Sequence, residues 1–348
     1  MSSTASTATH LASPVRVCAP ARLHLGFLDL NGQSGRKFGS IGLAIASHNT
    51  AIKARLTGSS RHVIKASDAQ IIKINALLSR FYLSLGAKVP TRHHGIELDI
   101  IESIPEHAGL GSGTQLALVV ATALCRLHGI KASTQEIAMA LQRGQRSGIG
   151  IAAFDQGGFI IDGGVPIKAG IPPMLVNYPF PKHWRIVLIM EHHRQGVHGK
   201  QETSAFRELP TFPLGQAQAI CHLTLMKLMP ALIETDIDAF CEAITEIQTR
   251  IGDHFSPVQG GRYTSQDIAM LLNYAKSLGH KGIAQSSWGP TGCVFVADQQ
   301  VAQQLQAQLT QVIAQKFEQP EHFSVIVTHA QASGADIELL PHNDHQKG

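Results

Sequence analysis

The sequence predicts an α+β protein of two domains, and three observations carry that reading. Stretches with strand alternation and stretches with helical spacing are mixed along the whole chain. Residues 165 to 183 are rich in proline (Pro166, Pro172, Pro173, Pro179, Pro181), which marks a boundary between the two halves. At 348 residues and 44% apolar content, the chain can bury a sizeable core and is long for a single domain. The expected division is 1–14 as a disordered tail, 15–175 and 176–341 as the two domains, and 342–348 as a flexible tail.

The elements follow in order. Val15 to Ala19 reads as a strand, followed by Pro20-Ala21-Arg22-Leu23-His24-Leu25-Gly26-Phe27. Residues 68 to 85 have apolar positions at Ile71, Ile74, Leu78, Phe81, Tyr82 and Leu85, with Gly86 as the helix stop. Ile96, Leu98 and Ile100 alternate with Glu97 and Asp99, the pattern of a half-buried strand. After a glycine-rich turn, Leu116, Val119, Val120, Ala123, Leu124 and Leu127 share one helix face. Ser133-x-x-Glu136 forms a capping box ahead of a helix through Arg143. Gly157-Gly158 and Gly163-Gly164 bracket a short strand, residues 159 to 162. Beyond the proline-rich stretch come a buried strand from Arg185 to Met190, several helices and a strand from Cys293 to Val296. A helix carrying Val301, Leu305, Leu309, Val312 and Phe317 follows, then strands at 323–328 and 335–340.

Composition narrows the function classes. No apolar run approaches about 20 residues, so no membrane span is expected. Met1 to Pro14 is rich in Ser, Thr and Ala and has neither a basic start nor an apolar core, unlike a signal peptide. The five cysteines are odd in number and scattered, which fits reduced thiols in a cytoplasmic protein. A net charge of +4 suits anionic small substrates and is too weak to argue for nucleic acid. The nineteen histidines include no His-Glu-x-x-His, and the pairs His93-His94 and His192-His193 diverge on any regular element. His192, directly after an apolar run, is the one kept as a site candidate.

The stretch that carries chemistry is Pro105-Glu106-His107-Ala108-Gly109-Leu110-Gly111-Ser112-Gly113-Thr114-Gln115-Leu116. Strand, glycine turn and helix is the order in which a helix N-terminus offers free N–H groups and a positive dipole end to an anion. Glycine lets the backbone approach a ligand at positive φ. A turn that binds nothing has the same glycines. No lysine follows as in Gly-x-x-x-x-Gly-Lys-Ser/Thr, and the third glycine of a dinucleotide fingerprint is missing.

Pro-x-x-x-Gly-Leu-Gly-Ser-Gly resembles the central phosphate loop of the GHMP kinase superfamily (galactokinase, homoserine kinase, mevalonate kinase, phosphomevalonate kinase). Pro20-Ala21-Arg22-Leu23-His24-Leu25-Gly26 resembles its first motif, and Ser286-Ser287-Trp288-Gly289-Pro290-Thr291-Gly292 its third. The three occur in the superfamily's order. The resemblance implies a ribosomal protein S5 domain 2-like first domain and a ferredoxin-like second one. Two positions depart from the kinases. Where the phosphate loop usually ends in Ser-Ser, the second serine, a magnesium ligand, is Gly113. Where mevalonate-type kinases carry a catalytic Asp after Ser-Gly, Arg146-Ser147-Gly148-Ile149-Gly150 puts Gly150. Glycine supplies neither a proton acceptor nor a metal ligand.

These departures, with Gly144-x-Arg146-Ser147-Gly148-Ile149-Gly150, Phe154-Asp155-Gln156-Gly157-Gly158-Phe159 and Asp162-Gly163-Gly164, look like the β-ribofuranosylaminobenzene 5′-phosphate synthase family. That resemblance implies a cytoplasmic homodimer that works with Mg2+ in tetrahydromethanopterin biosynthesis. The enzyme would condense phosphoribosyl pyrophosphate with 4-aminobenzoate or 4-hydroxybenzoate, releasing CO2 and pyrophosphate. Its partners are then these two small molecules, with no nucleic acid and no membrane. Gly109, Leu110, Gly111, Ser112, Gly113, Thr114 and Gln115 are expected around a phosphate or pyrophosphate, with Arg22, Arg143 and Arg146 as cationic partners. Ser147, Gln156, Gly289, Pro290 and Thr291 are expected among the substrate-binding positions. Asp155 is a candidate Mg2+ ligand or a charge facing C1 of the ribose; an ordinary turn residue is the alternative. His24 could meet the benzoate carboxylate or para substituent, and Trp288 could stack on the ring. Packing within the core serves equally for both. Gly196-x-x-Gly199-Lys200-Gln201-Glu202 through Phe206 is a candidate flap. An ATP-dependent small-molecule kinase and a non-catalytic ligand binder remain the alternatives.

Overall fold

The computed structural model describes residues 12–166, 170–194, 196 and 209–341; the candidate flap from Gly199 to Phe206 lies outside them. The first half is built on β1 (Val15–Asp29) and β2 (Arg36–Leu56), long antiparallel partners. The strand expected to stop at Ala19 instead runs on through the Pro-Ala-Arg motif. Pro20 cannot donate to a ladder, and the pairing absorbs it by a register shift between Pro20 and Ala21. With β3 (Val63–Lys65), β4 (Ile96–Glu102) and β12 (Asp336–Leu339), the sheet order is β12-β1-β2-β4-β3. β5 (Phe159–Asp162) and β6 (Val165–Pro166) pair with β2, and β7 (Met174–Tyr178) pairs with β5.

The expected boundary at residues 175 and 176 therefore falls inside a strand of the first sheet, and the last strand, β12, returns to pair with β1. A strand laid on an open edge removes its unpaired N–H and C=O groups, a long-range pairing that no local composition shift announces.

Helices α1 (Asp68–Leu83) and α2 (Ser112–Leu127) cover this sheet, packing Ile74, Leu78, Phe81, Leu118 and Val119 with Val15, Val17 and Ile52. α3 (Thr134–Ala140) starts at the expected Ser133 capping box but stops before Arg143. Gln142 and Gly144 take positive φ there and turn the chain toward α4 (Ile149–Asp155).

The second half forms an antiparallel sheet from β8 (Arg185–Glu191), β9 (Gly282–Gln285), β10 (Thr291–Val296) and β11 (Phe323–Thr328), in the order β11-β8-β10-β9. Numbered within this sheet the order is 4-1-3-2, the ferredoxin-like arrangement expected. Helices 266–277 and 299–316 pack on one face. On the other, helix 237–259 joins Ile186 and Leu188 to Ala21, Leu23 and Leu25 of β1. That shared core sets the two halves against each other along β1.

Two buried polar side chains near this seam matter for the site. The Asp162 carboxylate accepts from the N–H groups of Gly148 (2.8 Å), Gly164 (2.9 Å) and Ser40 (3.1 Å), and from the Ser147 hydroxyl (3.3 Å). Burial holds its pKa above the ordinary carboxylate value despite these donors. Replacing Asp162 with Ala would strand three N–H groups and should cost about 3 kcal/mol or more in urea unfolding. Asp162→Asn, which keeps one acceptor oxygen, should cost less; equal stability of both variants and the parent would remove the anchor.

His24 is the second. Burial, and next the charge of Arg22, lower its pKa from 6.5 to about 3. A base depressed in this way contributes stability that is present above pH 6.5 and lost as pH falls toward about 3. Between pH 7 and pH 5 the contribution lost is about 2 kcal/mol. Unfolding free energies at the two pH values should therefore differ less in His24→Asn than in the parent, and identical pH dependences would contradict the burial of a neutral ring.

Candidate active site

The phosphate loop is fixed from behind through its carbonyls. Gly109 and Gly111 take φ of +84° and +90°. A Cβ on Gly109 would come within 2.2 Å of the Ser286 carbonyl oxygen, so only glycine fits there. The Arg22 N–H donates to the Leu110 carbonyl (3.1 Å), and the Arg22 guanidinium donates to that of Gly109 (2.5 Å). The Ser286 hydroxyl donates to Gly109 (2.8 Å) and the Thr291 hydroxyl to Ala108 (2.7 Å). The first and third motifs thus clamp the second. Among the described residues, the N–H groups of Ser112 and Gly113 donate to no backbone carbonyl. They open the positive end of the sixteen-residue α2 toward the cleft.

The phosphate-loop cavity has a volume of about 500 Å³.

 A separate groove of about 610 Å³ is lined by Arg126, Thr134 and Asp155. The phosphate-loop cavity is lined by Arg22, Ser112, Gly113, Thr114, Arg143, Trp288 and Gly289, together with Lys73, Glu106 and His107. Arg143 approaches the loop, with Nη1 3.8 Å from where a Cβ on Gly113 would lie. Its Nε is buried and has no hydrogen-bond partner among the described residues. Burial, and next the charge of Arg80, lower its pKa. Three cations therefore face one carboxylate, Glu106, which pairs with Lys73 at 2.5 Å. Free N–H groups and surplus positive charge make this an anion site.

The other expected positions divide. Leu110 is fully buried and contributes its backbone. Gln115 is also buried and donates to the Gly150 carbonyl (2.9 Å), tying α2 to α4 instead of lining the cleft. Gly150 packs on Thr114, where a Cβ would lie 3.0 Å from Cγ2. Ser147 is engaged with Asp162. Arg146 is half-buried in the same turn as Arg143 but does not line the cleft. Pro290 is buried and its carbonyl accepts from the Glu191 N–H (3.2 Å).

Asp155 is a correction. It ends α4 beside the exposed Gln156, accepts a hydrogen bond from the Thr134 hydroxyl and lines the separate groove, away from the phosphate loop. It follows Gly150 by five residues, which at about 100° per residue turns it roughly 140° around the helix. Neither a metal ligand nor a charge facing the ribose is available from that place. His192 lies within 3.0 Å of the Ser324 hydroxyl at the rim of the second sheet and does not line the cleft either. Among the described residues, one group has metal-ligand spacing, Glu191, His193 and Asp267. One oxygen of the Glu191 carboxylate accepts from the Ser265 hydroxyl; the other, Oε1, lies 3.0 Å from His193 Nε2 and 3.7 Å from Arg194 Nε and has no hydrogen-bond partner among the described residues.

His24 and Trp288 meet at a second, narrow slot beside the cleft, with Phe27 and Phe255 as further walls. Sequence reasoning missed Phe27 and Phe255, and also Lys73 and Glu106. Phe255 is one of several apolar residues in phase on helix 237–259, and nothing in that pattern separates a slot wall from core. Lys73 sits on the polar side of α1, where a lysine is ordinary.

Known proteins share this arrangement. Residues 73–163 match the GHMP kinases N terminal domain and residues 228–315 the GHMP kinases C terminal domain. The fold is that of Lactococcus lactis galactokinase, solved with galactose, at a TM-score of 0.67 and 17% identity over 93% of this chain and 95% of that one. The β-ribofuranosylphenol 5′-phosphate synthase of Archaeoglobus fulgidus is 33% identical over 93% of this chain and its own full length. That of Methanocaldococcus jannaschii is 35% identical over 79% of this chain and 88% of its own. With the phosphate loop, its two clamping motifs and this likeness along nearly the whole length, the chain belongs to the β-ribofuranosylphenol 5′-phosphate synthase family of the GHMP kinase superfamily.

Proposed function

We propose that the protein transfers the ribose 5-phosphate unit of phosphoribosyl pyrophosphate to 4-hydroxybenzoate, releasing pyrophosphate and CO2. The observation that carries this reading is the phosphate loop with Arg22 and Arg143 beside it and no carboxylate at Gly150. The relatives' name supports hydroxyl over amine on the ring, because their product is a phenol. Gly150 cannot take an acceptor's proton, the task that mevalonate-type kinases give to an aspartate at that place, which disfavours the kinase reading.

In this reaction the bond from C1 of the ribose to the pyrophosphate oxygen breaks, and its electron pair leaves with pyrophosphate. The ring carbon that bears the carboxylate supplies a pair to C1, closing a C–C bond. The bond to the carboxylate then breaks, CO2 departs and the pair restores the aromatic ring. Charge develops mainly on the leaving pyrophosphate, where the Ser112 and Gly113 N–H groups and the two arginines oppose it. The planar arginine fork suits bidentate contacts to phosphate oxygens.

Magnesium is part of the same proposal. The oxygen donors bordering the cleft, the Glu106 carboxylate and the Ser112 and Thr114 hydroxyls, are of the kind that suits it. They would hold it beside the pyrophosphate, where it would neutralise charge on the leaving group.

The direct test supplies phosphoribosyl pyrophosphate, 4-hydroxybenzoate and Mg2+ and measures both products. Equal release of CO2 and pyrophosphate is expected. Transfer of labelled phosphate from ATP to an acceptor, without pyrophosphate release, would establish the kinase reading instead. Arg143→Ala should lower kcat/KM for phosphoribosyl pyrophosphate by about 10- to 100-fold, the worth of a charged hydrogen bond. Arg146→Ala should lower it less, and Asp155→Ala should stay close to the parent; a larger loss in Asp155→Ala than in Arg143→Ala would overturn this assignment of the site.

A further inference from the structure

Away from the phosphate loop, at the end of β8, one buried acid is only half satisfied. Glu191 is 3% exposed. Its Oε2 accepts from the Ser265 hydroxyl, and that hydroxyl oxygen accepts from the Ile268 N–H (3.1 Å), capping helix 266–277. The carboxylate is thereby held in one orientation. Its other oxygen, Oε1, is buried without a hydrogen-bond partner among the described residues, a costly condition for a charged group. The Arg194 Nε stays 3.7 Å away, while Nη1 of the same guanidinium donates to the Thr264 carbonyl (3.0 Å). Oε1 instead faces the Nε2 of His193 at 3.0 Å. Asp267, from the first turn of helix 266–277, completes the group: one potential ligand atom from each of Glu191, His193 and Asp267 lies within 4.8 Å of the other two.

We infer that Glu191, His193 and Asp267 bind a divalent cation of the zinc type, at a site separate from the phosphate loop. One imidazole nitrogen and two carboxylates are donors that Zn2+ takes, and around a tetrahedral ion such atoms stand about 3.4 Å apart. The pair Glu191–His193 is already near that spacing. His193 is exposed and Asp267 half-buried, so side-chain rotation can bring both to the ion while Glu191 stays fixed. Ser265 is then the outer partner that orients a metal-bound carboxylate. The imidazole sets this site apart from one for Mg2+, which prefers oxygen ligands throughout. Arg194 cancels part of the negative charge, but two carboxylates leave an excess for a dication.

The position gives the ion a consequence. His193 lies just beyond β8, close before Gly196, whose N–H donates to the His107 carbonyl (3.1 Å). Gly196 packs so closely on the third motif that a Cβ there would come within 2.3 Å of the Trp288 carbonyl oxygen. His107 and Trp288 both line the phosphate-loop cavity. A cation joining His193 to helix 266–277 would fix the point at which the chain leaves the second sheet for that rim.

The test is a calorimetric titration of Zn2+ into the full chain after treatment with a chelator, and it needs no turnover. Nineteen histidines supply weaker surface sites, so the comparison between variants decides. The parent should bind one Zn2+ per chain more tightly than any others. His193→Gln and Asp267→Asn, both outside the core, should each raise the Kd of that ion about tenfold or more. His192→Gln should leave it unchanged, because His192 turns to Ser324 instead. Zn2+ should also raise the Tm of the parent and not that of His193→Gln. Equal Zn2+ affinity in the parent, His193→Gln and Asp267→Asn would overturn the site and leave His193 as a simple ion-pair partner of Glu191. Displacement of the ion by equimolar Mg2+ would overturn its zinc character. Hydrogen exchange at the Arg194 and Gly196 amides should slow when Zn2+ is added to the parent and stay unchanged in His193→Gln. No slowing in the parent with the ion bound would refute its hold on the rim of the cavity.

Discussion

Everything at the site depends on where the carbonyls of the phosphate loop point. A glycine loop has as many acceptors as donors, and an anion is bound only if the acceptors are turned away. Here the carbonyls of Ala108, Gly109 and Leu110 are taken by Arg22, Ser286 and Thr291. Arg22 comes from the first half of the chain and the other two from the second. The donors left over, at Ser112 and Gly113, then all face one side. Arg22 acts twice, because its guanidinium both holds Gly109 and lends charge to the cleft. Removing it would free a carbonyl to face the anion as well as removing a cation.

The clamp also explains why the two halves share a core. Ser286 and Thr291 can reach the loop only if the second sheet is held against β1. Ala21, Leu23 and Leu25 pack with Ile186, Ile247 and Phe255 to hold it. The alternate positions Arg22 and His24 belong to the same stretch of strand. One strand therefore joins the halves with one set of side chains and lines the cleft and slot with the other, a direct use of the two-residue period.

Much of this was legible in the chain itself. Gly109, Gly111 and the helix behind them announce an anion loop by local geometry, and Arg22 follows from the motif on β1. The element pattern also carried the α+β class and the positions of most strands. What was not legible required tertiary placement. Asp155 stands in a segment, Phe154 to Phe159, that resembles the family's, yet helix phase turns it away from Gly150. Arg143 and Arg146 are equivalent in sequence, and the positive φ at Gln142 and Gly144 decides which one meets the cleft. Lys73 and Glu106 come together only because α1 packs beside the loop. The return of β12 to β1 spans nearly the full chain, so no window of sequence could contain it.

The two glycines that set this chain apart from the kinases are not alike physically. A Cβ at Gly113 would meet nothing closer than the Arg143 guanidinium at 3.8 Å, so a serine would fit there without strain. Its absence is chemical: the position no longer offers an oxygen, and an arginine stands beside it. Gly150 is crowded, with Thr114 at 3.0 Å from a Cβ, and its carbonyl accepts from Gln115. A side chain there would have to push the Thr114 methyl aside by a few tenths of an ångström, on the helix that carries the loop. The change at Gly150 is thus coupled to the packing of α2 on α4, whereas the change at Gly113 leaves the packing free. Regaining a carboxylate at Gly150 therefore asks for a compensating change at Thr114, while regaining an oxygen at Gly113 asks only for the side chain.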